Sequence, residues 1–162
     1  MKPQIQKISQ ISPYQSVICI TGNDELPSWL SLSDAEKDFA LKQLRAKEEH
    51  TVINSYSKVT YIVRINEKGP EYRKLEGLRK TAYSLRKTIK SNNHEELVIA
   101  AWHGIEGSVG AFAEGLLLSA YSFDKYKTKR EDIDRDKYPA KLLLYGDISV
   151  KEIKWLDDLT DA

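Results

Sequence analysis

Three stretches of this 162-residue chain hold residue types and spacings that chemistry uses. The first is Gly104-Ile105-Glu106-Gly107-Ser108-Val109-Gly110, with glycine at every third position. Between a strand and a helix N-terminus, such a loop offers backbone N–H groups and a helix dipole to an anion. Gly104, Gly107, Ser108 and Gly110 are the candidate anion contacts. The spacing is neither the dinucleotide fingerprint nor a phosphate loop ending in Gly-Lys-Ser/Thr, and Glu106 sets a carboxylate where a phosphate would sit. The same glycines serve a tight strand-to-helix turn. The second stretch, Glu71–Lys90, carries Arg73, Lys74, Arg79, Lys80, Arg86, Lys87 and Lys90 against only Glu71 and Glu76. Such a stripe suits a phosphate backbone, although a charged outer helix face is ordinarily a solvated one. The third is Ala113-Glu114-Gly115, a lone glutamate in an apolar helix. A two-metal centre needs several converging carboxylates with metals ~3.5–4 Å apart, so Glu114 is expected to be structural, ion-paired or at the helix edge.

No other side chains assemble into a catalytic constellation. His50, His94 and His103 are not spaced at i,i+4, and no H-E-x-x-H occurs. His50 and His94 fall at predicted helix ends, where a polar cap is the expectation. His103 follows a predicted strand, where a hydrogen bond to backbone is expected. The single cysteine, Cys19, lies in the apolar run Val17–Ile20 and reads as a buried, inert thiol. The expectation is therefore no catalytic residue and no metal ligand in this chain.

The elements that must position these residues follow from local patterns. Ser16–Thr21 is short and β-branched, a buried strand closed by a turn at Gly22-Asn23-Asp24. Ser33-Asp34-Ala35-Glu36 has the capping-box form and opens a helix to about Glu49. Thr51–Tyr56 and Lys58–Ile65 predict a hairpin with the first strand at an edge, so the sheet is mixed. Gly69-Pro70 precedes a helix over about Glu71–Lys90, with Leu75, Leu78, Ala82, Leu85 and Ile89 on one face. Glu96–Trp102 is apolar enough for a central strand buried on both sides. A helix then runs to about Tyr121, with a polar exposed loop over Asp124–Lys137. Lys141–Tyr145 is the last strand, and Ser149–Ala162 has helical spacing at Ile153, Leu156 and Leu159. Helices alternating with strands predict an α/β sheet covered on both faces.

Size and charge set the outer bounds. The length fits one domain. A formal charge of +1 excludes a surface given over wholly to nucleic acid but not a local basic patch. One thiol forms no internal disulfide, MKPQIQKISQ has no apolar signal region, and no run approaches the ~20 apolar residues of a membrane span. The expectation is a cytoplasmic protein with no membrane contact.

One segment is more specific. Ala111–Arg130 (AFAEGLLLSAYSFDKYKTKR) resembles the segment that closes the amino-terminal domain of leucine aminopeptidases, the two-metal cytosol aminopeptidase family. There a helix with E-G-x-x-L runs into Y-x-F-D-x-Y; here those positions are Glu114, Gly115, Leu118, Tyr121, Phe123, Asp124 and Tyr126. The reading is a core helix packing its Leu116–Leu118 face, followed by an aromatic anchor at Tyr121, Phe123 and Tyr126. The resemblance is clear over Gly69–Ala162 and implies a macro-domain-like mixed sheet of about five to six strands sandwiched between helices. It divides the chain into such a domain over 1–148 and, over 149–162, the start of a linker helix toward a catalytic domain that this chain lacks. It places two divalent metals, zinc or manganese, in that other domain, in a segment reading N-T-D-A-E-G-R-L. Ala113-Glu114-Gly115-Leu116-Leu117 is only superficially like that segment. Gly110-Ala111-Phe112 stands in place of Asn-Thr-Asp, and Leu116 in place of Arg.

The resemblance thus implies a non-catalytic domain of a cytosolic leucyl aminopeptidase, whose parent releases N-terminal amino acids from peptides as a homo-hexamer. The domain would adjoin its own catalytic domain, shape access to the active site and add oligomer contacts. Two other classes remain open: a freestanding macro-like module holding ADP-ribose or another phosphorylated ligand at Gly104–Gly110, and a DNA contact through helix 71–90.

Overall fold

A computed structural model describes residues 3–66, 68–125, 139–146 and 148–161, with side chains up to 119 in the third helix and up to 160 in the last. Its elements are β1 (Gln4–Ile8), β2 (Val17–Thr21), α1 (Asp34–Arg45), β3 (His50–Asn54), β4 (Val59–Arg64), α2 (Glu71–Ser91), β5 (Glu96–Trp102), α3 (Ser108–Lys125), β6 (Lys141–Tyr145) and α4 (Val150–Asp161). The strands form one six-stranded sheet in the order β1-β6-β5-β2-β4-β3. All neighbours are parallel except the β3–β4 hairpin. This is the mixed α/β sheet that the alternation predicts, with β5 inside and β3 at an edge.

Side-chain alternation divides the core into two faces. Ile18 and Ile20 of β2 join Tyr61, Val63, Leu97, Ile99, Leu142 and Leu144 beneath α2, α3 and α4. Val17 and Cys19 point the other way, with Val98, Ala100 and Leu143, and are covered by Leu26, Trp29, Leu30 and Leu32 of the loop before α1. Helix α1 closes the end of that face with Ala40 and Leu44 against Ile53 and Ile62.

Several boundaries differ from expectation. Helix α1 stops at Arg45 rather than Glu49, because Lys47 takes a left-handed φ of 63°. Lys47 N–H then donates to Leu44 O and Glu48 N–H to Gln43 O, the double bond of a Schellman stop. Strand β1 was not expected. Only Ile5 of its residues is buried, so its own sequence gives almost no strand signal. Helix α3 begins at Ser108, which takes Ser108, Val109 and Gly110 out of the expected loop and into the helix. It continues to Lys125, so Asp124 and Lys125 are helical; the rest of the expected Asp124–Lys137 loop lies outside the described residues.

Candidate functional site

The Gly104–Gly110 loop lines an open cleft of about 680 Å³ at the carboxyl ends of β5 and β6. Carboxyl ends of parallel strands are where open α/β sheets ordinarily hold ligands. One wall is the turn into α3, with Gly107 at φ +85°; the other is Gly146, at φ +117°, leading to Ser149 and α4. Ser149 caps α4 by accepting the Glu152 N–H at 3.1 Å. Two helix N-termini therefore border one cleft, a placement favouring negative charge.

The chain itself supplies that charge. Helix α3 has no acidic residue in its first turn, but Glu152 of α4 lies against it: a Cβ built on Gly110 would sit 3.0 Å from Glu152 Oε2. Glu106 and Glu152 both line the cleft, with Lys7 the one cation among the lining residues. Lys7 Nζ in turn donates to Ile148 O at 3.3 Å. Ser108 is buried and its hydroxyl donates to Ile105 O at 2.6 Å, so it is not aimed at a ligand. A Cβ on Gly104 would come within 3.0 Å of Ala101 Cβ and 3.1 Å of Ser108 Oγ. Of the four candidate anion contacts, Gly104 and Ser108 thus answer to packing and Gly110 is covered by a carboxylate. A phosphorylated ligand would meet two like charges here. The S-x-x-E form of Ser149–Glu152 was a readable sign that a carboxylate sits at this helix start.

Glu114 and Gly115 act together on a different element. Arg79 of α2 donates from Nε to Glu114 Oε2 at 3.2 Å and from Nη1 to Glu76 Oε2 at 3.4 Å. One residue on, a Cβ at Gly115 would lie 2.6 Å from Arg79 O and 2.7 Å from Arg79 Cα, a separation no side chain tolerates. The pair E-G therefore marks where α3 crosses α2 backbone against side chain. Glu114 is the paired structural residue expected. Leu116 and Leu117 are buried, but Leu118 is 40% exposed, which corrects the reading that it shares their core face. Leu118 lies one residue past Leu117, about 100° round the helix, which turns it toward solvent. The side chains of Tyr121, Phe123, Asp124 and Tyr126 lie outside the described residues.

The histidines are placed differently from expectation. His50 is the first residue of β3, not a helix cap, and its Nδ1 is buried with no partner among the described residues. His94 lies just past α2, as expected, but its Nε2 meets the hydroxyl of fully buried Tyr61 at 2.6 Å. Asn92 Nδ2 donates to that same hydroxyl at 2.9 Å, and the imidazole tautomer sets which of Tyr61 and His94 donates to the other. Burial holds His94 below the ordinary imidazole range. His103 is exposed, at φ 50°, with its ring edge-on to Trp102 at 4.5 Å rather than bonded to backbone among the described residues. Cys19 is fully buried, and burial pushes its thiol up to about 12, the inert thiol expected.

On α2, Arg79, Arg86 and Lys90 are among the cations engaged within the fold. Arg79 holds Glu76 and Glu114, and Arg86 lies 3.8 Å over the Tyr83 ring while donating to Tyr83 O. Among the described residues no three or more His, Cys, Asp or Glu side chains converge as a metal would need. The described residues therefore do not fit the two-metal centre that the family resemblance brings with it. No helix among them is long and apolar enough to cross a membrane.

Comparison with known proteins bears on the same segment. The sequence profile of the N-terminal domain of the cytosol aminopeptidase family matches residues 67–130. No curated protein sequence matches the chain. Among solved structures, a tomato leucine aminopeptidase mutant aligns with a TM-score of 0.61 at 14% identity, over 99% of this chain and 35% of that one. The likeness is one of fold, and the chain spans about a third of the length of the tomato protein. The profile match falls on the helices that Arg79, Glu114 and Gly115 join, and the fold shared with the tomato protein runs through nearly the whole chain: over residues 67–130 the sequence is similar to the N-terminal domain of the cytosol aminopeptidase family.

Proposed function

We propose that this chain is a non-catalytic domain of a metal-dependent leucyl aminopeptidase that removes N-terminal amino acids from peptides in the cytoplasm. The observation that carries the reading is the family match over 67–130, which takes in α2, β5 and α3. In this reading the macro-like sheet is a scaffold. It stands beside its own catalytic domain in a homo-hexamer, bounds the approach to the active site and contributes outer contacts between subunits. The two divalent metals, zinc or manganese, belong to the catalytic domain. The carboxylates Glu106 and Glu152 in the cleft weigh against the alternative of an ADP-ribose module, and the internal engagement of Arg79 and Arg86 thins the stripe that a DNA contact would use. The test is an assay of this chain on a leucine chromogenic substrate with Mn²⁺ or Zn²⁺. No turnover above the metal blank is expected; metal-dependent turnover would overturn the proposal.

A further inference from the structure

Strand β1 ends the sheet, and one side of its backbone has no partner among the described residues. The Gln4 N–H donates to Ala140 O at 2.8 Å, so Gln4, Gln6 and Ile8 turn their peptide groups to β6. Alternation turns the N–H and C=O of Ile5 and Lys7, with the Pro3 carbonyl, away from the sheet. A proline and a lysine are common guards of such an edge, but here neither closes it. Pro3 lacks a donor and keeps its outward acceptor. Lys7 sends its side chain onto the helix side of the sheet, where Nζ donates to Ile148 O at 3.3 Å.

This edge is complementary to its own antiparallel image in the register that sets Ile5 opposite Ile5 of a second copy. Each Ile5 N–H then meets the other Ile5 carbonyl, and each Lys7 N–H meets a Pro3 carbonyl, the one ladder bond a proline can still make. On the loop side of the sheet, exposed Gln4 lies directly opposite exposed Gln6, close enough for their amides to bond. On the helix side, Lys7 of each copy lies opposite Pro3 of the other. There a groove of about 470 Å³ runs along the edge, lined by Pro3, Gln4, Ile5, Gln6 and, from α4, Asp157. Asp157 is the one charged residue in that lining, and its carboxylate has no partner among the described residues. The Lys7 ammonium, with three donors and Ile148 O on one of them, brings the charge that Asp157 lacks.

We propose that the β1 edge binds a second copy of this chain in this register, joining two sheets into one about a two-fold axis. The contact stands on the edge itself and does not depend on the aminopeptidase reading. The test is sedimentation velocity of the chain from about 0.01 to 1 mM, over which monomer should give way to dimer. Gln4 and Gln6 are exposed, so charges placed there report the register while urea midpoints check the fold. Gln4→Lys with Gln6→Lys sets like charges opposite each other twice and should weaken the dimer about tenfold. Gln4→Lys with Gln6→Glu sets opposite charges there and should dimerise at least as tightly as the parent chain. Asp157→Asn should weaken the dimer about threefold, as the loss of an exposed ion pair does. A chain that stays monomeric throughout overturns the proposal. So does a dimer that the two lysines leave as tight as before, which would use another face, and so does a lysine–glutamate chain no tighter than the two-lysine one.

Discussion

Gly115 and His94 show how single atoms fix this fold. At Gly115 the chain omits a Cβ so that α3 can rest on the Arg79 backbone. Gly115→Ala forces the two helices apart or bends one, and overpacking of this kind costs about 1–3 kcal/mol. It should appear as a lower urea midpoint with an unchanged denaturant slope. His94 makes stability depend on pH. Burial lowers its folded pKa below the unfolded value of about 6.5. Its contribution is therefore complete above that pH and lost as the pH falls through it toward the folded value, because the unfolded chain takes up a proton first. Urea midpoints should drop between about pH 7 and 5, and His94→Gln should drop less. Equal drops in both chains would show that His94 contributes nothing. The partners at this scale were mostly hidden in the sequence. Glu114 reads as structural because it is a lone carboxylate on an apolar helix, but nothing local identifies Arg79, 35 positions earlier, as its partner. Nor does anything local join Tyr61 to His94, which meet only after α2 has crossed the sheet.

At the scale of elements, what is encoded locally is what the sequence reveals. Helix α1 starts where Ser33 and Glu36 form a reciprocal capping box, with Glu36 Oε1 accepting the Ser33 N–H at 2.9 Å and Ser33 Oγ accepting the Glu36 N–H at 3.2 Å. Ser33→Ala should cost about 1 kcal/mol, measurable by thermal or chemical unfolding. No loss would mean that the Glu36–Ser55 bond at 2.5 Å holds this helix start unaided. The long helix, the hairpin and the central strand are equally legible, since each has its own periodicity or run of β-branched residues. Strand β1 is not, because what makes Gln4–Ile8 a strand is pairing with Lys141–Tyr145. The end of α1 escaped because a lysine fills a glycine's conformation. The start of α3 escaped because the glycines of its first turn read as loop. The cleft was legible as a glycine-rich turn, but Glu152, which decides its charge, arrives from the last helix.

For the whole molecule, Cys19 is a built-in reporter. It lies on β2, paired on one side with Ile62 and on the other with Ala100, and its thiol is fully buried. With the pKa pushed up to about 12, the folded chain should resist an aromatic disulfide reagent, and labelling should follow opening of the sheet. The denaturant dependence of the labelling rate should match the slope of global unfolding; a shallower slope would reveal a local opening at the centre of the sheet. The order of the strands has a consequence for synthesis. Gln4 pairs with Lys141 and Ile8 with Tyr145, so β1 must wait for β6, far later in the chain, before it finds its partner. During translation the hairpin, α2 and β5 can assemble on β2 while the amino-terminal segment stays tethered outside. Only when β6 emerges does the sheet gain its far edge, so a nascent chain stalled before Lys141 would present the flank of β5 as an unfilled docking place for another strand.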